Sequence, residues 1–273
     1  MLPVLPVLTQ VTLDPARLDE SAAAIRRAWR ESLVVAIRPS APLPDVRATY
    51  DALLPRIGTP HYLAEDVRAG DRAVQRTGEL WMEVRYDPAF PDAYRHSLNA
   101  QPLHTDGSYI PSFPNATLMC CVANAARGGE TVFLTAEALV EALRRERPEL
   151  LAELESVVMP HARSGDRREL PVIRREGGEL RLNWNYYCVA GDCGPEAAAL
   201  RERLFEYLRT SEAVRAAIVP VKLAPGDAVV WKDERLLHGR NAFVATEVGE
   251  RFLWKCAVDV DVDVFAGGRS AAV

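Results

Sequence analysis

The chain has 273 residues, of which 48% are hydrophobic and 26% charged, with a formal net charge of −5 and a sequence pI of about 5.7. This is the composition of a soluble globular protein with enough apolar material for a sizeable core. No basic stretch has the density of a nucleic-acid footprint, and no run approaches the roughly 18 apolar residues of a membrane span. The expected partner is therefore a small molecule, with no nucleic acid and no membrane.

The length fits one large β domain spanning residues 1–273. The 5 cysteines (Cys120, Cys121, Cys188, Cys193 and Cys256) are odd in number, and no pair has a CxxC spacing. The apolar N-terminus lacks a positive segment and is broken by Pro3 and Pro6, so it does not read as a signal peptide. Reduced thiols and a cytoplasmic location are the expectation.

Asp14-Pro15 offers an N-cap and a first helical residue, opening a helix to about residue 32. Leu18, Ala22, Ile25 and Trp29 give it one apolar face, so Trp29 is read as core. A strand follows at 33–37, a second helix at 44–54, and loop or short helix at 58–78. Together these make a helical layer over residues 14–78. Residues 80–86 alternate as a strand, with Glu83 and Arg85 on one face. The continuous apolar run 116–123 reads as a buried strand, and Gly128-Gly129 as a turn into a strand ending at Leu134. Thr135 caps a helical insertion over 136–155, divided at Pro148.

Strands are expected at 156–160, 169–174 and 179–187, with a Gly177-Gly178 turn between the last two. A helix runs from Gly194-Pro195 to about residue 210. Strands then follow at 219–223, 228–231 and 250–264, with fraying from Gly267 onward. Many short strands with flanking helices predict a mainly β (α+β) fold with a jelly-roll, cupin-like double-stranded β-helix core.

Two stretches carry chemistry. Gln101-Pro-Leu-His-Thr-Asp-Gly-Ser-Tyr109 contains a His-x-Asp pair. In an extended strand, His104 and Asp106 would point to one face, supplying two-thirds of a 2-His-1-carboxylate triad. The second stretch, residues 231–243, contains His238 and is followed by Arg251. Of the 5 histidines, His61, His96 and His161 are read as structural or exposed. Fe(II) suits such a set, and zinc also accepts it.

His104-Thr-Asp106, Gly128-Gly-Glu-Thr131 and Asp233-Glu-Arg-Leu-Leu-His238-Gly-Arg with Arg251 beyond, in that order, resemble the taurine dioxygenase (TauD/TfdA)/clavaminate synthase-like branch of the Fe(II)/2-oxoglutarate-dependent oxygenases. The resemblance spans roughly residues 95–258. It implies that His104, Asp106 and His238 bind Fe(II). It also implies that Arg251 pairs with the distal carboxylate of 2-oxoglutarate while Thr131 donates a hydroxyl hydrogen bond to it. A guanidinium suits that role through its two-pronged pairing with a carboxylate. Arg240 is the rival for it.

In the halogenating relatives a small residue replaces the carboxylate. Its presence as Asp106 points to hydroxylation, or to desaturation or cyclisation. The implied reaction consumes O2 and converts 2-oxoglutarate to succinate and CO2 while oxidising an unactivated C–H. The expected substrate is a small polar metabolite such as an amino acid or derivative, in specialised metabolism. Candidate substrate contacts are Asn99, Gln101, Tyr109, Glu83 and Arg181, with Asn183 and Asn185 on the Arg181 strand face. Two alternatives stay open on residues alone: a metal-dependent hydrolase or isomerase on a cupin-like barrel, and a non-catalytic jelly-roll binding protein.

Overall fold

The computed structural model describes residues 7–62 and 79–260. The first half of the chain runs β1 (Leu8–Leu13), α1 (Leu18–Glu31), β2 (Val34–Pro39), α2 (Val46–Ile57), β3 (Gly58–His61), β4 (Met82–Arg85), β5 (Gln101–His104), β6 (Ala116–Ala123) and β7 (Thr131–Thr135). An insertion follows: α3 (Ala136–Glu146), α4 (Pro148–Ser156), β8 (Val158–Arg163), β9 (Asp166–Pro171), β10 (Ile173–Glu176), β11 (Glu179–Leu182), α5 (Gly194–Thr210) and α6 (Glu212–Ala217). The chain then completes the core with β12 (Val219–Val221), β13 (Ala228–Lys232), β14 (Leu236–Arg240) and β15 (Phe252–Val260).

A larger sheet has the order β1-β2-β13-β6-β15-β3, with β4 also paired to β15, and a smaller one the order β12-β7-β14-β5. These two sheets are the two halves of a double-stranded β-helix. Strand alternation sorts the apolar runs between layers. On β2, β6 and β13, Val35, Ile37, Leu118, Cys120, Ala228 and Val230 join the core under α1 and α2. Their neighbours Val34, Met119, Cys121, Val229 and Trp231 point the other way, into a second core shared with Phe133 and Leu236 of the smaller sheet. The smaller sheet is also covered on its far side. There Leu134 and Leu237 pack into a third core with α3, α4, α5, Trp184 and the two hairpins β8–β9 and β10–β11.

Several sequence expectations shift. β1 was not foreseen: it pairs in parallel with β2, and α1 is the crossover that parallel pairing requires. α1 begins at Leu18 with no side-chain cap, because Asp14 instead closes a local turn, accepting from the Ala16 amide at 3.0 Å and pairing with Arg17 at 2.9 Å. Residues 58–61 form a strand rather than a loop, and 63–78 lie outside the described residues. The expected strand 169–174 is two strands broken at Val172, and 179–187 ends at Leu182. The last strand runs from Phe252 to Val260, and the residues beyond lie outside the described range. The insertion extends past 155 to include two hairpins, α5 and α6. Thr135 does cap α3, accepting from the Ala138 amide at 3.1 Å. None of the five cysteines forms a disulfide. No helix among the described residues is long and apolar enough to cross a membrane.

His161, read as structural or exposed, is fully buried and therefore structural. Its Nδ1–H donates to the Met159 carbonyl at 3.1 Å, and its Nε2 accepts from the Asn185 amide at 3.3 Å. Burial pushes its pKa down to about 4. Between that value and the unfolded value near 6.5, the unfolded chain binds a proton that the folded chain refuses. Stability therefore falls as pH drops through this window, by on the order of 3 kcal/mol from this residue. His161→Gln should remove that part of the slope, measured as urea midpoints between pH 7 and 4. An unchanged slope difference would refute the assignment.

Gly128 and Gly165 both have positive φ, at +75° and +88°. A Cβ on Gly128 would stand 2.0 Å from the Ala242 carbonyl oxygen, whereas one on Gly165 meets nothing within 4 Å. Gly165→Ala should cost about 1 kcal/mol of backbone strain. Gly128→Ala should cost at least about 3 kcal/mol, since the turn into β7 must also open. Equal midpoint shifts in urea would contradict this.

Candidate active site

β14 sits centrally in the smaller sheet, with His238 opposite both His104 on β5 and Phe133 on β7. Residues opposite one another share a face, and Phe133 faces the inter-sheet core. Both histidines therefore point between the sheets, with ring centroids 4.2 Å apart. Gly239 follows His238 on β14, and a Cβ there would meet the Gln101 carbonyl at 2.7 Å. The pairing of β14 with β5 depends on that close approach.

Asp106 joins them by a route different from the one expected. β5 ends at His104, and Asp106 lies in the following turn. Thr105 anchors that turn, its amide donating to the Trp184 carbonyl at 2.7 Å. The Asp106 amide donates to Asp233 Oδ2 at 2.8 Å. These bonds rotate the carboxylate toward the histidines. Asp106 Oδ1 lies 3.8 Å from His104 Nε2, and Oδ2 lies 3.7 Å from His238 Nε2. One donor atom from each of the three residues lies within 4.8 Å of the others. No other trio of His, Cys, Asp or Glu among the described residues gathers in this way.

The protonation states suit a metal. His104 Nδ1 faces the Pro102 carbonyl at 2.8 Å. A carbonyl only accepts, so Nδ1 carries the proton and the Nε2 lone pair faces the site. Burial pushes the His104 pKa down, and burial with the neighbouring His104 charge pushes His238 further down. Burial alone would raise Asp106, but the charges of Lys255, His238 and His104 outweigh it and hold the carboxyl below its usual range. Asp233 shows the opposite response: burial and the Asp106 charge push it well up. Two neutral imidazoles and one carboxylate are a donor set for a divalent metal.

The site opens on a cavity of about 900 Å³ whose lining includes His104, Asp106, His238, Thr131, Arg251 and Lys255. Thr131 pairs with Arg240 in register and faces inward two residues from Phe133. Arg251 is 1% exposed. It precedes β15, in the sheet opposite β14. Its stem lies against Gly129, where a Cβ would stand 3.0 Å from Nε. Its Nη2 donates to the Gly129 carbonyl at 3.3 Å, while Nε and Nη1 have no hydrogen-bond partner. Burial lowers its pKa to about 10, which leaves it charged. A buried guanidinium with unpartnered N–H groups, open to a cavity, is a socket for a carboxylate. Arg240 lines the same cavity, and its Nε and Nη1 are also without partners, but its Nη2 is held by two carbonyls, of Ser97 and Asn99, at 2.9 and 2.5 Å.

Of the candidate substrate contacts, Asn99, Gln101 and Tyr109 line the cavity, as does Asn185. Glu83 and Arg181 do not. Glu83 pairs with Arg85 at 3.0 Å, and Arg181 belongs to an ion network with Glu179 and Glu234 on the insertion. Asn183 is buried beside Arg168 and His161. The other histidines have separate partners: His61 with Asp259 at 2.7 Å, and His96 with the Arg85 carbonyl at 2.9 Å. Residue-level reading missed Lys255, whose Nζ lies 2.5 Å from Asp106 Oδ2. The available signal was a lysine in the apolar strand Phe252–Val260. That reading quoted Asp233 within a motif without giving it a role, and it passed over Thr117, which has no motif of its own.

The model of the "Taurine catabolism dioxygenase TauD, TfdA family" matches residues 5–257. A uridine-5'-phosphate dioxygenase of Streptomyces sp. is 30% identical over 161 residues, covering 54% of this chain and 57% of that protein. A gamma-butyrobetaine dioxygenase of Pseudomonas sp. (strain AK-1) is 29% identical over 167 residues, covering 59% and 43%. The chain thus spans about half the length of these curated relatives. Among solved structures, the non-heme iron oxygenase OrfP in complex with Fe and alpha-ketoglutaric acid superposes with a TM-score of 0.63 at 18% identity, covering 93% of this chain and 94% of that one. Another structure of OrfP holds Fe, succinate and (3S)-hydroxy-L-Arg. With the family model matched over most of its length, this chain belongs to the TauD, TfdA family of Fe(II)/2-oxoglutarate-dependent dioxygenases.

Proposed function

We propose that this chain is an Fe(II)- and 2-oxoglutarate-dependent dioxygenase that oxidises an unactivated C–H of a small polar metabolite, with hydroxylation as the outcome and succinate and CO2 as co-products. One observation carries the reading. The convergent His104, Asp106 and His238 share a cavity with a buried arginine that has unpartnered N–H groups. A zinc hydrolase would need the trio but not that arginine, and a simple binding protein would need neither.

In this reading His104, Asp106 and His238 hold the iron. The metal supplies the O2 chemistry that couples decarboxylation of 2-oxoglutarate to oxidation of the substrate. Arg251 and Thr131 bind the distal carboxylate of 2-oxoglutarate. The neutral imidazoles present lone pairs without first losing protons, and Asp106 is already ionised. Asn99, Gln101 and Tyr109 line the substrate space. Glu83 and Arg181 have no part in it, since each is held by a carboxylate or arginine away from the cavity.

An amino acid or derivative is the proposed substrate class. It is supported by the polar groups of Asn99, Gln101 and Tyr109 in the lining and by the hydroxyarginine held in a structurally similar oxygenase. Nucleotides and betaines, named by the sequence relatives, form the comparison set.

A screen for substrate-stimulated succinate over amino acids, amines, betaines and nucleotides tests this. Stimulation by amino acids is expected, and a response confined to nucleotides would overturn the substrate class while leaving the chemistry in place. His104→Ala, Asp106→Ala and His238→Ala should each abolish turnover in folded protein. Arg251→Ala should raise the 2-oxoglutarate requirement by the equivalent of about 2–4 kcal/mol, and Thr131→Ala by about 1 kcal/mol. Unchanged 2-oxoglutarate dependence in Arg251→Ala would remove that residue from the role.

A further inference from the structure

Lys255 is an unusual neighbour for a metal-binding carboxylate. It lies on β15 opposite Met119 of β6, and Met119 faces the inter-sheet core. Lys255 therefore points inward, and its side chain is only 19% exposed. Thr117, two residues before Met119, faces the same way. Both reach one atom: Lys255 Nζ lies 2.5 Å from Asp106 Oδ2, and Thr117 Oγ1 donates to the same oxygen at 3.2 Å. Burying an ammonium among apolar strand residues is expensive, and an ion pair in such a place does not repay it by default. The site itself supplies a reason for it.

The two oxygens of Asp106 stand almost equally close to imidazole nitrogens, at 3.8 and 3.7 Å. Left alone, the carboxylate could grip a metal through both. Three protein donors and a two-atom chelate leave one position of an octahedral centre for O2, and a two-oxygen grip by Asp106 would fill it. We propose that Lys255 is a positioning residue: with Thr117 it occupies Asp106 Oδ2, so that the carboxylate offers a metal only Oδ1 and the adjacent coordination position stays open. This rests on the reading that His104, Asp106 and His238 hold Fe(II). It assigns Lys255 to the metal's carboxylate rather than to the substrate.

The test compares wild type with Lys255→Met and Lys255→Arg under anaerobic conditions without substrate. Fe(II) affinity is measured by chelator competition. Nitric oxide serves as a non-reacting stand-in for O2, and its affinity for the Fe(II)- and 2-oxoglutarate-loaded protein is read by electron paramagnetic resonance. Lys255→Met should bind Fe(II) roughly tenfold tighter, because a cation beside the ligand is gone. It should also bind nitric oxide at least tenfold more weakly, because the open position is taken. Lys255→Arg should restore both toward wild type. Lys255→Gln, which keeps a donor without the charge, is read alongside by near-ultraviolet circular dichroism in case the methionine variant fails to fold. It should retain most of the nitric oxide affinity while binding Fe(II) more tightly.

Wild-type Fe(II) and nitric oxide affinities in Lys255→Met would overturn the proposal. So would a change confined to the substrate KM, which would make Lys255 a substrate contact. If wild type itself gave no visible charge-transfer band requiring both Fe(II) and 2-oxoglutarate, the functional reading would fall and this inference with it. An intact band with unchanged nitric oxide binding sinks the inference alone.

Discussion

The site depends on a carboxylate that is not itself offered to the metal. Asp233 is fully buried in the short turn between β13 and β14. Its Oδ1 accepts from Trp231 Nε1 at 3.0 Å and lies 3.4 Å from His238 Nδ1, while its Oδ2 accepts from the Asp106 amide. One side chain thus ties the end of β13, the start of β14 and the turn after β5. These segments lie far apart in the chain, and a buried acceptor left with vacant partners would cost about as much as several surface contacts contribute. Trp231 completes the arrangement by packing between Phe133 at 5.6 Å and His238 at 4.8 Å. The imidazole is thereby held by a tilted ring contact on one side, with the Asp233 carboxyl beside its Nδ1.

Much of this was legible in the residues, though for reasons that differ in quality. The apolar runs of β2, β6 and β13 announce buried strands because they have apolar neighbours on both faces. Period alone could not say which face meets the helices and which meets the second sheet. β1 escaped because it is a half-buried edge strand beside Pro3 and Pro6. The His-x-Asp pair does converge with His238, yet the same-face argument for it assumed a strand that ends at His104. The convergence comes instead from Thr105 and Asp233, partners 79 and 127 residues away from the atoms they hold. Arg181 alternated convincingly with Asn183 and Asn185. Only the ion network on the insertion, which is long-range, reveals that it turns away. Lys255 was visible as an inward lysine in an apolar strand, but a single residue carries no spacing to read.

The Gly128-Gly129 pair shows how backbone space makes a binding group possible. Gly128 lets the chain entering β7 run against Ala242 and Phe243, and Gly129 leaves room for the Arg251 stem. Arg240 and Arg251 both lie over the Phe243 ring, at 4.9 and 5.3 Å. Burial and the neighbouring Arg251 lower Arg240 to about 9, and burial lowers Arg251 to about 10. Both border the cavity, and they differ in what holds them: Arg240 Nη2 is fixed by two loop carbonyls, of Ser97 and Asn99, and Arg251 Nη2 by the Gly129 carbonyl alone.

The cysteines bear on the durability of such a protein. An oxygen-activating centre releases oxidants whenever oxidation of 2-oxoglutarate runs without substrate, and the thiolate is the form of cysteine that oxidants attack. Burial and the proximity of Cys121 push Cys120 up, burial pushes Cys121 up to about 12, and burial with Cys120 pushes Cys256 well up, although Cys256 borders the cavity. The sulfurs packed around the larger sheet therefore stay protonated. In this fold, packing the thiols into the core keeps them in the protonated form that oxidants attack least.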